Sequence, residues 1–311
     1  MNIEKIHKQF LSSKLLLFII VFAFIAIRLY PFFDDQWDNV SLWSSLLIQI
    51  GIAFFLLQLN HTFNIIQKHT FLPAIFYLLF IGSNPVFYYE WKGSIAALCF
   101  VLCFYFLFNS YQKPRSQINA LNISLLLVLG SLLWTQLIFF FPVFWIGFYR
   151  FHCLNARVFF ANLTGFVIVY MFIFALSLFQ GDKNIFFSLL PHFDPLFTIQ
   201  KLNLTDLEWL TFGLLIIFCI VSGLYLFFFN ISERIWTISV LSFFSFSAFT
   251  LFILYSLQSE YKSIWGLLNY IPVAFLAGHF FSRSNKKGVH YLLLLFFLFF
   301  VGIGITQHIS S

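Results

Sequence analysis

The sequence predicts an all-α, multi-pass transmembrane helical bundle, and three observations predict it. Of its 311 residues 61% are hydrophobic and only 9% charged, with a mean hydropathy of +0.93; a soluble globular domain carries about 25% charged residues. The apolar residues fall in runs close to the roughly 20 residues that a helix needs to cross a bilayer core of about 30 Å. Lys and Arg recur in alternate loops, as the positive-inside rule requires. No water-soluble fold of this size hides so much apolar surface, so composition excludes a soluble enzyme, a disordered regulator, a secreted disulfide scaffold and a nucleic-acid binder.

Each element has its own justification. Lys5, Lys8 and Lys14 precede an apolar run from Leu15 to Ile27 that no small-x-small cleavage site follows; it ends in Arg28-Leu29-Tyr30-Pro31. This reads as a retained first helix that doubles as the targeting signal. Spans are expected at 15–33, 40–59, 71–88, 94–109, 118–134, 136–149, 158–178, 208–229, 235–257, 264–281 and 289–307, about eleven in all. The third is interrupted by Gly82-Ser83-Asn84-Pro85, and the fifth and sixth meet at Trp134-Thr135-Gln136 with little polar sequence between them. Either place admits one long helix, a break or a re-entrant element. The 50 Phe residues show no fixed period, which suits lipid-facing and interhelical filler.

Charge checks the count independently, because one false span would invert every later loop. With the N-terminus cytoplasmic, 12 of the 17 Lys and Arg fall on the inner side, whereas 9 of the 11 acids fall on the outer side. The C-terminus is then on the outer face. Most connections are short, so consecutive helices should pack antiparallel. The exception, 180–207, is too polar and Pro-interrupted to span, yet carries Ile185, Phe186, Phe187, Leu189 and Leu190 together. It is expected to be an outer-face loop with an interfacial helix, separating a seven-helix module at 1–179 from a four-helix module at 208–311. No internal repeat is visible. Cys99 and Cys103 sit one turn apart without a His or carboxylate on the same helix and do not read as a metal site.

With so little charge, the outer acids and interfacial cations are where chemistry should be sought. Asp34, Asp35 and Asp38 follow the first span directly, and Arg28 lies two turns back as a candidate counter-cation for the adjacent pair. The next outer loop reads Tyr88-Tyr89-Glu90-Trp91-Lys92, a carboxylate and an amine flanked by interfacial aromatics. His192 and Asp194, in Pro191-His192-Phe193-Asp194-Pro195, add candidates for a glycan or a metal. The simpler reading is that acids are tolerated outside, aromatics belong at the headgroups and Arg28 snorkels.

An acid just after the first helix, a second acid in the next outer loop and a run of short helices together resemble the GT-C type of multi-pass glycosyltransferase. The stretch NALNISLLLVLGSLLWTQLIFFFPVFWIGFYR followed by RVFFANLTGFVIVY is similar to the central segment of those enzymes, and the likeness spans roughly the first 175 residues. The same stretch also resembles an uncharacterised family of bacterial polytopic inner-membrane proteins. The resemblance implies a polyprenyl-phosphate-linked sugar as donor, at the outer face of the inner membrane, in cell-envelope glycan assembly. It implies Asp34 or Asp35 as the base that deprotonates the acceptor, and Glu90 positioning the acceptor or a divalent metal. Arg28 or Lys92 would hold the donor phosphate, with Asp38, His192 and Asp194 as further substrate contacts.

Two other classes compete. Ion-coupled transport is disfavoured because Gln49, Asn122, Gln136 and Asn162 are polar but almost no charge lies at membrane depth; a lipid flippase is not disfavoured on that ground. A non-catalytic subunit or scaffold of an envelope assembly predicts that the outer acids can be lost without consequence.

Overall fold

The computed structural model describes residues 21–22, 24–25, 40–66, 70–179, 213, 215–217, 219–220, 235–257, 262–283 and 287–310. Among these there is no β-strand. The α-helices are α1 (Val40–Phe63), α2 (Leu72–Gly82), α3 (Trp91–Asn109), α4 (Gln117–Ser131), α5 (Phe141–Arg150), α6 (Ala156–Phe179), α7 (Ile235–Leu257), α8 (Lys262–Arg283) and α9 (Lys287–Ser310). Two 3-10 segments, Pro85–Tyr88 and Thr135–Phe140, interrupt the series. Val21, Phe22, Phe24, Ile25, Gly213, Leu215, Ile216, Ile217, Cys219 and Ile220 are helical as well. Among the described residues, five helices are long and apolar enough to cross a membrane, at Val40–Phe63, Trp91–Asn109, Ala156–Phe179, Ile235–Tyr255 and Ile264–Ser282. The chain is thus an all-helical protein built to lie in a bilayer. Most of the expected spans at 15–33 and 208–229, and the loop at 180–207, lie outside the described residues.

Three of the expected spans are shorter helices. At 71–88 the helix stops at Gly82, after 11 residues, and a 3-10 turn follows. The cause is Pro85: its ring disfavours helical geometry at the preceding residue, and Asn84 sits at φ −130°, ψ 111°. At 118–149 the doubt over one long helix is resolved as a reversal. Helix α4 ends at Ser131, Trp134 is extended at φ −146°, ψ 97°, and the 3-10 segment turns back along α4 before α5 begins with Pro142 in its first turn. Helices of 15 and 10 residues rise about 22 and 15 Å, short of a full bilayer core.

Contacts gather the chain into two units, one of Met1–Ser94 with Gln200–Ser311 and one of Ile95–Ile199, the boundary falling inside α3. In the first unit α8 is the central helix, with Trp265, Leu267, Leu268, Ile271 and Phe275 fully buried, and α2 is buried along its whole length. Where the alternative to a neighbouring helix is lipid, close packing rather than escape from water holds helices together. The packing is aromatic and small-residue in character. Phe80 meets Tyr270 at 5.5 Å and Phe300 at 5.1 Å, Phe76 meets Phe281 at 5.4 Å, and Phe244 stacks on Phe275 at 4.7 Å. Each such pair adds about 0.5–1.5 kcal/mol beyond its buried area. Gly266 lies against Phe87 and Tyr255, and Gly278 against Pro73 and Ile66.

These contacts sort the first unit into two ends. At one, Trp236 Nε1 donates to the Phe63 carbonyl at 2.9 Å, and Gly278 meets Ile66 and Pro73. At the other, Gly93 meets Ile264, Gly266 meets Phe87 and Tyr255, and Gly304 sits on the Gly82 carbonyl. Helices α1 and α8 therefore run one way, and α2, α7 and α9 the other.

In the second unit α4 and α6 form the closest pair, at Gly165 and Ser124. Asn162 on α6 donates from Nδ2 to the Ala120 carbonyl at 2.8 Å and accepts from Trp145 Nε1 at 3.0 Å, joining α4, α5 and α6 through one amide. Phe100, Phe104, Phe140 and Phe144 fill the core beside them. The Gln112 N–H donates to the Phe151 carbonyl at 3.1 Å, and Asn155 Nδ2 to the Pro114 carbonyl at 2.9 Å. The chain from Pro114 to Phe151 thus returns to the end it left. Lys113, Arg115, Arg150 and Arg157 belong to these two joined turns and their flanks.

Candidate functional site

Of the residues singled out from the sequence, Glu90 and Lys92 are described; Arg28, Asp34, Asp35, Asp38, His192 and Asp194 lie outside the described residues. The stretch 83–94 that carries Glu90 and Lys92 is built from the end of α2 outward. Ser83 caps the helix, its N–H donating to the Leu79 carbonyl at 3.1 Å and its hydroxyl to Phe80 at 2.7 Å. Asn84 Oδ1 accepts from the Val86 N–H at 3.1 Å, an Asx turn that starts the 3-10 segment. The Tyr88 hydroxyl donates to the Gly82 carbonyl at 3.0 Å and folds the turn back on α2.

Helix α1 then fixes this stretch from the side. Gln49, fully buried, donates from Nε2 to the Phe87 carbonyl at 3.2 Å and to Ser94 Oγ at 3.0 Å. Ser94 in turn donates from its hydroxyl to the Glu90 carbonyl at 2.8 Å, and the Ser45 hydroxyl contacts the Tyr88 carbonyl. Gln49 and Ser45 are polar residues at membrane depth that have found partners, as groups shielded from water must. Their effect is to hold the backbone at residue 90 rigidly at the first unit's end. The Glu90 side chain is half-buried and Lys92 is exposed, its ammonium 5.8 Å from the centroid of the Trp91 ring. That distance is within cation–π range.

A carboxylate and an ammonium two residues apart, on a braced turn with interfacial aromatics, can bind a ligand bearing both hydroxyls and an anionic group. Among the described residues no group of three or more His, Cys, Asp or Glu stands close enough to hold a metal. Cys103 donates from its thiol to the Ile123 carbonyl at 3.6 Å, and Cys153 to the Phe148 carbonyl at 3.3 Å. Burial pushes the Cys153 thiol up to about 12.

The opposite end of the first unit holds a feature that the sequence reading did not single out. A cavity of about 330 Å³ is lined by Leu57, Gln58, Asn60, His61, Thr70 and Phe71. Asn60 shapes it: Oδ1 accepts the Ile66 N–H at 3.0 Å while Nδ2 donates to the Thr70 carbonyl at 3.4 Å. The signal available in the sequence was Thr70-Phe71-Leu72-Pro73, a helix start with Pro in its first turn and an unusual polar residue before it. Comparison of the chain with protein-family models, with curated proteins and with solved structures finds no match.

Proposed function

We propose that this chain is a GT-C-like membrane enzyme that transfers a sugar from a polyprenyl-phosphate-linked donor, with the Glu90 end of the first unit at the outer face of the bacterial inner membrane. The observation that carries the reading is the bonding of α1 to residues 87–94. Asp34, Asp35 and Asp38 lead within a few residues into α1, and the first turns of α1 grip the turn that bears Glu90. In sequence Asp38 stands two residues before α1, the helix that bonds to the turn bearing Glu90.

In this reading Asp34 or Asp35 removes the proton of the acceptor hydroxyl, and Glu90 orients that acceptor. Lys92 or Arg28 meets the donor phosphate, whose charge grows as the sugar departs. The test is the pool of lipid-linked sugars in cells carrying Asp34→Asn with Asp35→Asn, or Glu90→Gln. Accumulation of a donor with matching loss of a surface glycan supports the enzyme. Unchanged glycans with both variants inserted at normal abundance would assign the chain a non-catalytic role in an envelope assembly.

A further inference from the structure

We propose that the cation-bearing end of the second unit binds an anionic phospholipid, with the headgroup phosphate on Arg115, Arg150 and Arg157 and an acyl chain along the exposed face of α6. The inference is independent of the glycosyltransferase reading. It starts from charge. Between Ile95 and Phe179 the sequence has no Asp or Glu, and its four Lys and Arg are Lys113, Arg115, Arg150 and Arg157. All four lie in, or within two residues of, the connections that join α3 to α4 and α5 to α6. Those connections are tied to each other. The Gln112 N–H donates to the Phe151 carbonyl at 3.1 Å, and Asn155 Nδ2 donates to the Pro114 carbonyl at 2.9 Å. Asn155 Oδ1 also accepts the Val158 N–H at 2.9 Å, so one side chain both starts α6 and holds the other turn. The fold thus gathers every cation of this stretch at one end.

Like charges held together without an acid repel, and an anion relieves that repulsion. Lys113 is partly engaged, its ammonium donating to Asn109 Oδ1 at 2.8 Å. Arg115, Arg150 and Arg157 are exposed, and among the described residues no hydrogen bond or ion pair engages their guanidinium groups. A guanidinium donates to phosphate oxygens in parallel pairs, which makes arginine the suited residue for this headgroup. The neighbouring side chains select a lipid as the carrier of that phosphate. Ile146 stands one turn inward of Arg150 on the same face of α5, and Phe160 one turn inward of Arg157 on α6; both are exposed. The exposed face of α6 continues through Thr164 and Val167 to Met171. From Arg157 to Met171 the helix rises about 21 Å, more than half of a bilayer core of about 30 Å. A soluble acidic partner would meet the cations but leave this apolar track unused. A phospholipid presents a phosphate and a hydrocarbon chain joined end to end, in the order that the helix offers them, and basic clusters at helix ends recruit anionic headgroups.

The test titrates phosphatidylglycerol, and separately phosphatidylcholine with the same acyl chains, into the purified full-length chain in detergent, with binding read by native mass spectrometry. The expected result is tighter binding of phosphatidylglycerol, weakened about fivefold by each of Arg115→Gln, Arg150→Gln and Arg157→Gln and roughly a hundredfold by all three together. The three side chains are exposed, so the variants should keep the thermal midpoint of the parent. Should the triple variant fail to fold, the single variants carry the same comparison. Lys5→Gln with Lys8→Gln and Lys14→Gln removes as much charge from another part of the chain and should leave the binding unchanged. Equal binding of the two lipids, a preference for phosphatidylglycerol that survives loss of the three arginines, or the same weakening in the lysine control would overturn the proposal. Displacement of phosphatidylglycerol by soluble poly-glutamate would assign the patch to an acidic protein and overturn it as well.

Discussion

The contact between α4 and α6 yields the sharpest stability prediction. A methyl group added at Gly165 would stand 1.9 Å from Ser124 Oγ, 3.1 Å from Ser124 Cβ and 3.0 Å from the Leu121 carbonyl oxygen. Carbon contacts are comfortable at about 3.5–4.0 Å. The Ser124 hydroxyl can rotate away, at the loss of its 2.8 Å bond to the Leu121 carbonyl, but the carbonyl and Cβ move only if the helices separate by about half an ångström. Such overpacking costs about 1–3 kcal/mol. Alanine recovers up to about 1 kcal/mol through its higher helix propensity. Gly165→Ala should therefore destabilise by about 1–2 kcal/mol, measured by reversible unfolding in mixed detergent. Combining it with Ser124→Ala removes the closest clash, so the double variant should regain about 0.5 kcal/mol or more over the sum of the singles. A Gly165→Ala protein as stable as the parent, or strictly additive effects, would refute the close approach.

Other consequences can be checked alongside. Gln49→Leu strips the buried Phe87 carbonyl of its side-chain donor and should cost about 1–3 kcal/mol, with faster hydrogen exchange across residues 84–94. Asn162→Leu removes the amide that joins three helices; a loss of about 1–3 kcal/mol is expected, with a shift in Trp145 fluorescence as its ring N–H loses its acceptor. Cys153 should resist iodoacetamide at pH 8 in the folded protein and react once denatured. Its thiol ionises at about 12 against an ordinary 9.0. The fold holds the neutral thiol, so that contribution is complete below pH 9.0 and is lost as pH climbs from there towards about 12.

Hydropathy made the helices readable in advance, and Gly82-Ser83-Asn84-Pro85 and Trp134-Thr135-Gln136 stood out as irregular places, but whether each would be a continuous helix, a break or a re-entrant element was not readable. Loop charge carried further: Lys113 with Arg115, and Arg150 with Arg157, were assigned to one side, and hydrogen bonds join their turns at one end. The facing of each helix was not readable, for a physical reason. In lipid both faces are apolar, so Phe80 in the core and Phe160 at 61% exposure look alike in sequence. The information sits instead in small residues such as Gly165, Gly266 and Gly278, and in polar residues such as Gln49 and Asn162 that need partners. Gln49 and Asn162 stood out as polar residues within spans; that Gln49 braces Glu90 is a tertiary fact, as is the pairing of Asn60 with Thr70 around a cavity.

The central claim is that the Glu90 end and the Asn60 end of the first unit face opposite sides of a membrane, with Glu90 outside. Impermeant maleimide applied to intact cells tests it directly, using Lys92→Cys and Thr62→Cys one at a time in a chain whose four native cysteines are replaced. The account predicts labelling of Lys92→Cys from outside and of Thr62→Cys only after the membrane is opened. Labelling of both from the same side would contradict it.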